Sequence, residues 1–160
     1  MATVPKNSLK VGDKAPPFAL PADAGGKVSL SGLRGKAIVL YFYPKDDTSG
    51  CTAEAIAFSA DAKAFARAGA VVIGVSKDSV SSHDKFKAKH KLAVTLAADE
   101  ETKVAQAYGV WVEKSMYGRR YMGMERATFL IDGKGVIRKI WRKVKVPGHS
   151  ADVLAAVKLL

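Results

Sequence analysis

Ala37-Ile-Val-Leu-Tyr-Phe-Tyr43-Pro-Lys-Asp-Asp-Thr-Ser-Gly-Cys51-Thr-Ala-Glu54 is the stretch around which the chain is organised. Its first seven residues are continuously apolar, β-branched or aromatic, the pattern of a strand covered on both faces. Pro44 ends that run, a polar turn follows, and Cys51 falls where a helix is expected to begin. Cys51 is the only cysteine in the 160 residues. A thiol in the first turn of a helix faces unpaired backbone N–H groups and the positive end of the helix dipole. Both favour the nucleophilic thiolate, so the chain reads as a cysteine-dependent enzyme.

Upstream, Val11 to Leu33 carries Pro16, Pro17, Pro21, Gly25, Gly26 and Gly32. It predicts short strands and turns, with Gly25-Gly26 as a hairpin turn before Lys27-Val-Ser-Leu30. Downstream, Ala55, Phe58, Ala62 and Phe65 recur at helical spacing. They predict one helix from Cys51 to about Ala68, capped by Gly69. Ala70 to Ser76 is a second buried strand, and Asp78 or Ser79 caps a helix from Val80 to about Lys89. Val94 to Ala97 is a short strand, and Glu101 to Tyr108 a short helix ended by Gly109. Met116, Met122 and Met124 lie near Tyr117 and Tyr121 in a segment without periodicity, expected to be a loop beside the site. Ala127 to Ile131 and Val136 to Arg142 form a β-hairpin across Asp132-Gly-Lys-Gly135. Ser150 is placed to cap a last helix over Ala151 to Leu159. This order predicts an α/β fold with a mixed central sheet flanked by helices. One domain over 1–160 is expected, with 1–10 as a loose lead-in.

Hydrophobic residues make up 48% and charged residues 26%, as in an ordinary globular protein. No apolar run approaches the ~20 residues of a membrane span, and the start has no signal-peptide core, so a cytoplasmic protein is expected. Lys plus Arg exceed Asp plus Glu by 26 to 15, a formal charge of +11. The cations are scattered except in Arg138 to Lys145, where they alternate with Val and Ile as on the outer face of a strand. No nucleic-acid-binding motif accompanies them, so the charge reads as a solvated lysine surface rather than a nucleic-acid site. A lone cysteine forms no internal disulfide and no thiolate-rich zinc site, and no metal is expected.

Spacing excludes several cysteine chemistries. A dithiol redox motif needs a second cysteine at position 54, where Glu54 stands. A phosphate-cradling cysteine loop needs an arginine at position 57, where Ala57 stands. A Cys–His hydrolase stays open through His83, His90 or His149, although His83 and His90 sit on a Lys-rich helix and are expected on the surface.

What remains is a cysteine with a hydroxyl three residues earlier, Thr48, in a turn begun by Pro44. Here the sequence resembles the peroxiredoxins. Pro44-x-x-x-Thr48-x-x-Cys51 is similar to that family's active-site motif, and Phe42 to Ala55 resembles its bacterioferritin comigratory protein, or peroxiredoxin Q, branch. Val11 to Pro16, Gly74 to Ser79, Met116-Tyr-Gly118, Gly123 to Asp132 and Trp141 to Val146 match in order over nearly the whole chain. The resemblance implies a thioredoxin-like fold with an N-terminal strand pair, and thiol-dependent reduction of hydroperoxides without metal, haem or flavin. It assigns the reactive sulfur to Cys51 and a thiolate-facing guanidinium to Arg126. Thr48 and the backbone amides at Gly50 and Cys51 are the further donors, Pro44 shields the turn, and Glu54 supports it.

The chain departs from that branch in three places. Ile56 and Lys87 stand at the two positions where branch members carry a resolving cysteine, which makes this a one-cysteine type. The sulfenic acid is then reduced by an outside thiol, whether thioredoxin, glutaredoxin with glutathione or another small thiol, or forms a disulfide with another molecule, and the sequence does not choose among these. Ser49 replaces the usual proline and is expected to accept a hydrogen bond from the first helical turn. Monomer is expected from the resemblance. Two other readings compete: a thioredoxin-like binding module whose thiol is a redox sensor, and a basic nucleic-acid-associated protein.

Overall fold

The computed structural model describes residues 9–160; the first eight residues of the expected lead-in lie outside the described residues. In chain order the strands are β1 (Ala19–Pro21), β2 (Lys27–Ser29), β3 (Ala37–Phe42), β4 (Ala70–Ser76), β5 (Thr95–Ala98), β6 (Trp111–Met116), β7 (Arg119–Met124), β8 (Ala127–Ile131) and β9 (Ile137–Trp141). The α-helices are α1 (Ser49–Ala60), α2 (Ala62–Arg67), α3 (Val80–His90), α4 (Lys103–Ala107) and α5 (His149–Lys158).

β3 is the centre of a five-stranded sheet in the order β5-β4-β3-β8-β9. β4 pairs with it in parallel and β8 antiparallel, so the expected mixed sheet is present. Alternate residues of β3 feed two cores, as period-two geometry requires. Ile38, Leu40 and Phe42 pack with Tyr108 of the α4 region, Phe129 and Ile137. Val39, Tyr41 and Tyr43 pack with Phe58 of α1, Phe65 of α2, Phe86 of α3 and Val153 of α5. Each fully buried aromatic or aliphatic side chain contributes about 1.5–3 kcal/mol relative to exposure. Gly74 stands opposite Tyr41 in the ladder. A Cβ there would lie 2.6 Å from the Tyr41 ring, so the bare backbone of β4 is what admits the ring into the core.

Three local expectations change and one alternative is resolved. The helix expected over 51–68 begins at Ser49 and breaks at Asp61, whose carboxylate accepts from Ser150 Oγ at 2.8 Å. Ser150 therefore does not cap the last helix. That helix starts at His149 after Gly148, whose φ of 78° turns the chain into it, and the Ser150 hydroxyl is drawn across to α1 and α2. Ser79, not Asp78, caps α3 by accepting from Ser82 N. The segment expected to be a loop around Met116–Met124 is the β6–β7 hairpin, turned at Tyr117 (φ 52°) and Gly118 (φ 77°). Both strands are largely exposed, so no in–out alternation marked them.

Candidate active site

The end of β3 delivers Tyr43 and Pro44 into the loop that precedes α1. Two consecutive aspartates fasten this loop to α3. Asp47, in the left-handed region at φ 60°, accepts from Lys89 Nζ at 2.7 Å and pairs with His90 Nε2 at 2.8 Å. Asp46 is buried; its Oδ1 accepts from Tyr43 OH at 2.6 Å, and its Oδ2 accepts from Ser82 Oγ and faces His83 Nδ1 at 2.7 Å. The other ring nitrogen of His83 faces the Ala97 carbonyl at 2.9 Å. A carbonyl only accepts, and so does an ionised carboxylate, so the ring carries a proton on each nitrogen and forms a buried ion pair.

Burial opposes that charge. The hydrogen bond and charge of Asp46, with the Ala97 carbonyl, outweigh it and raise the His83 value above 6.5. His83 is thus a fully buried structural residue and not the surface histidine expected from its Lys-rich helix. Replacing it by Ala leaves the Asp46 carboxylate buried without its partner, and breaking such a pair costs about 3–5 kcal/mol. The expected result in thermal melts below pH 6.5 is a fall in Tm on the order of 10 °C. The wild-type contribution is fully present below pH 6.5 and is lost as pH rises through the raised value, so the gap narrows at high pH. His149 is also buried, against Thr128 Oγ1 at 2.8 Å, and burial pushes it down to about 4. Among the described residues no histidine hydrogen-bonds Cys51, so nothing in the geometry favours a Cys–His hydrolase.

Cys51 is the third residue of α1 and is 2% exposed. Thr48 occupies the N-cap position, but its side chain does not cap the helix. Its hydroxyl donates to the Lys45 carbonyl at 2.8 Å, so it does not donate to the sulfur, and its lone pairs are left to accept. Ser49 is exposed. Pro44 is half-buried at the loop's start. With no side chain capping the helix, its first amides are left without a side-chain partner.

Arg126 enters from the residue before β8, 75 positions away from Cys51. Its Nη2 donates to Cys51 Sγ at 3.5 Å and its Nη1 donates to Glu54 Oε1 at 2.6 Å. The neighbouring Glu125 does not compete for it, because both Glu125 oxygens are held by Arg142 at 2.7 and 2.9 Å. Gly50 leaves the guanidinium its room: a Cβ there would stand 3.0 Å from Nη2. The structure thus brings Gly50, Cys51, Glu54 and Arg126 together, with Thr48 and Pro44 in the adjoining loop. Among the described residues no three His, Cys, Asp or Glu side chains converge to hold a metal ion.

Glu54 is 1% exposed, with Oε2 unpartnered, so it is no surface carboxylate. Burial pushes its carboxyl up to about 7, against the pull of Arg126. A raised folded value means that stability is present below the ordinary 4.5 and lost as pH rises toward about 7. Relative to Glu54→Gln, the wild type is expected to lose up to about 3 kcal/mol between those limits, measured by urea unfolding across pH. Asp46, His83 and the burial of Glu54 were missed from sequence. The one local sign is Asp46-Asp47 in a chain whose α3 carries His83 and His90 seven residues apart.

The AhpC/TSA family model matches residues 11–140. A putative peroxiredoxin bcp of Coxiella burnetii is 52% identical, over 92% of this chain and 97% of that protein. Peroxiredoxin Bcp of Bacillus subtilis is 51% identical, over 94% and 96%. The solved bacterioferritin comigratory protein of Xanthomonas campestris superposes with a TM-score of 0.85 at 44% identity, over 89% of this chain and 90% of that one. The sheet and its helices are accordingly thioredoxin-like, with β1–β2 as the added N-terminal strand pair.

Proposed function

Because the chain belongs to the AhpC/TSA family, in the bacterioferritin comigratory protein branch of the peroxiredoxins, we propose that it reduces hydrogen peroxide and organic hydroperoxides at Cys51. The Xanthomonas campestris relative is described as an alkyl peroxide reductase, which fits an organic substrate. The observation that carries the reading is the guanidinium of Arg126 beside Cys51 Sγ at the open N-terminus of α1.

In the first step the Cys51 thiolate attacks the terminal peroxide oxygen. The O–O bond breaks, the sulfur becomes a sulfenic acid, and the leaving alkoxide or hydroxide takes a proton to become alcohol or water. Negative charge moves from sulfur to the leaving oxygen. Arg126 Nη2 and the amides at Gly50 and Cys51 donate to the oxygens along that path. The Thr48 hydroxyl, whose own proton goes to Lys45, accepts from the peroxide O–H. Glu54 fixes the other arm of Arg126, and Pro44 shields the turn.

The second half-reaction uses an outside thiol, because the two positions that would hold a resolving cysteine are Ile56, on the surface of α1, and Lys87, which pairs with Asp23 at 2.8 Å. One thiol displaces water from the sulfenic acid to give a mixed disulfide, and a second releases Cys51. Thioredoxin, or glutaredoxin with glutathione, is the proposed source. The protein acts as a one-domain monomer in the cytoplasm. Among the described residues no helix is long and apolar enough to cross a membrane.

Intact mass after one equivalent of peroxide, followed by a panel of reductants, tests both halves. The expected record is one added oxygen on Cys51 and its removal by one reductant class. Peroxide consumed with Cys51 unmodified would overturn the reading.

A further inference from the structure

We propose that the β6–β7 hairpin is the docking surface for the reductant, and that the reductant is a dithiol protein with an acidic face. This rests on the peroxidase reading and specifies its second half-reaction.

The hairpin carries four of the exposed large apolar side chains of the described chain. Met116 is 56% exposed, Tyr117 97%, Tyr121 43% and Met122 49%. Such a patch on a protein surface marks an interaction site. β6 and β7 pair only with each other, so their outer edges are unpaired. The same hairpin carries Lys114, Arg119 and Arg120 against a single acid, Glu113. Lys114 stands opposite Tyr121, and Met116 opposite Arg119, so these two cations and two apolar side chains share one face beside the turn at Tyr117, while Arg120 and Met122, opposite Ser115 and Glu113, lie on the other.

That face adjoins the thiol. Lys114 Nζ donates to the Met124 carbonyl at 2.6 Å at the end of β7, and two residues on Arg126 Nη2 meets Cys51 Sγ at 3.5 Å. With Cys51 nearly buried, attack on its sulfur requires a reductant held in place while the first turn of α1 yields.

Charge selects the occupant. A second copy of this chain brings another +11 and the same basic hairpin, so self-association here is repelled. Nucleic acid meets the charge requirement but holds no thiol to supply two electrons. An acidic dithiol protein meets both. Its first thiol attacks the Cys51 sulfenic sulfur, with water leaving, and forms a mixed disulfide. Its second thiol attacks that bond, returning Cys51 as thiol and leaving the partner as an internal disulfide.

The test uses the full chain, with an acidic thioredoxin and with dithiothreitol as a neutral small dithiol. Arg119→Glu is expected to lower thioredoxin-supported kcat/KM roughly tenfold, and rising salt to do the same to the wild type. Met116→Ser/Tyr117→Ser is expected to weaken it as well. Peroxide oxidation of Cys51 and dithiothreitol-supported turnover stay unchanged in all of them.

Four results overturn the proposal: thioredoxin-supported turnover unaffected by the charge reversal; equal losses with dithiothreitol; no wild-type turnover with thioredoxin while dithiothreitol sustains it; or a dimer, or DNA binding, abolished by the same substitutions. A wild type whose Cys51 fails to oxidise before any reductant is added refutes the peroxidase reading itself, a separate outcome.

Discussion

Cys51→Ser is expected to lose peroxide turnover entirely, at least about a thousandfold, while its Tm stays within a few degrees of the wild type. The argument is one of chemistry at constant shape. Serine fits the buried site at the third residue of α1, and its hydroxyl keeps a hydrogen-bond partner in Arg126. What it lacks is the sulfur nucleophile, which a serine hydroxyl does not replace. As Cys51 is the only cysteine, no second sulfur can substitute for it. Coupled turnover assays alongside circular dichroism check both halves of the expectation. Retained turnover in a folded variant would remove Cys51 from the mechanism.

Arg126→Met is expected to slow the oxidation of Cys51 by about 10²–10³, or about 3–4 kcal/mol in the barrier. The guanidinium is the one side-chain donor placed against the sulfur among the described residues. Its removal takes a cation from the place where charge shifts between sulfur and leaving oxygen. It also strips Glu54 of its only hydrogen-bond partner among the described residues, so that buried carboxyl takes up a proton. Arg126→Lys keeps the charge but not the fork, and a lysine reaches either Glu54 or the sulfur, not both. An intermediate loss, nearer tenfold, is expected. Rapid-mixing measurement of the first oxidation separates this effect from any change in reductant use. An Arg126→Met protein that oxidises at the wild-type rate would leave the ion pair with Glu54 as a purely structural contact.

β3, β4 and β8 could be read within a residue of their bounds, because strands buried on both faces leave continuous apolar runs. The parallel β3–β4 pairing follows from the helices between them and the antiparallel β8–β9 pairing from the turn between them, whereas no local signal places β8 against β3. β6–β7 escaped because both faces are wet: Lys114, Met116, Tyr121 and Met122 show no alternation, and Tyr117-Gly118 lacks the usual Asn or Asp of a two-residue turn. Asp61 hid the helix break, since the hydroxyl that binds it, from Ser150, lies 89 residues away. The position of Cys51 at a helix start was legible locally. The approach of Arg126 was not, and was named only through the family resemblance. Nor was the state of Glu54 or His83 legible. Each is a charged residue that sequence places on a helix surface, and each is buried by a partner, Arg126 or Asp46, that only the tertiary fold supplies.

The most direct measurement is the second-order rate constant for oxidation of Cys51 by equimolar peroxide at neutral pH, followed by stopped-flow fluorescence and confirmed by mass. A site that orients the peroxide and stabilises the leaving oxygen predicts a rate roughly 10³-fold or more above that of free cysteine. A folded wild-type protein that reacts no faster than free cysteine would contradict the account.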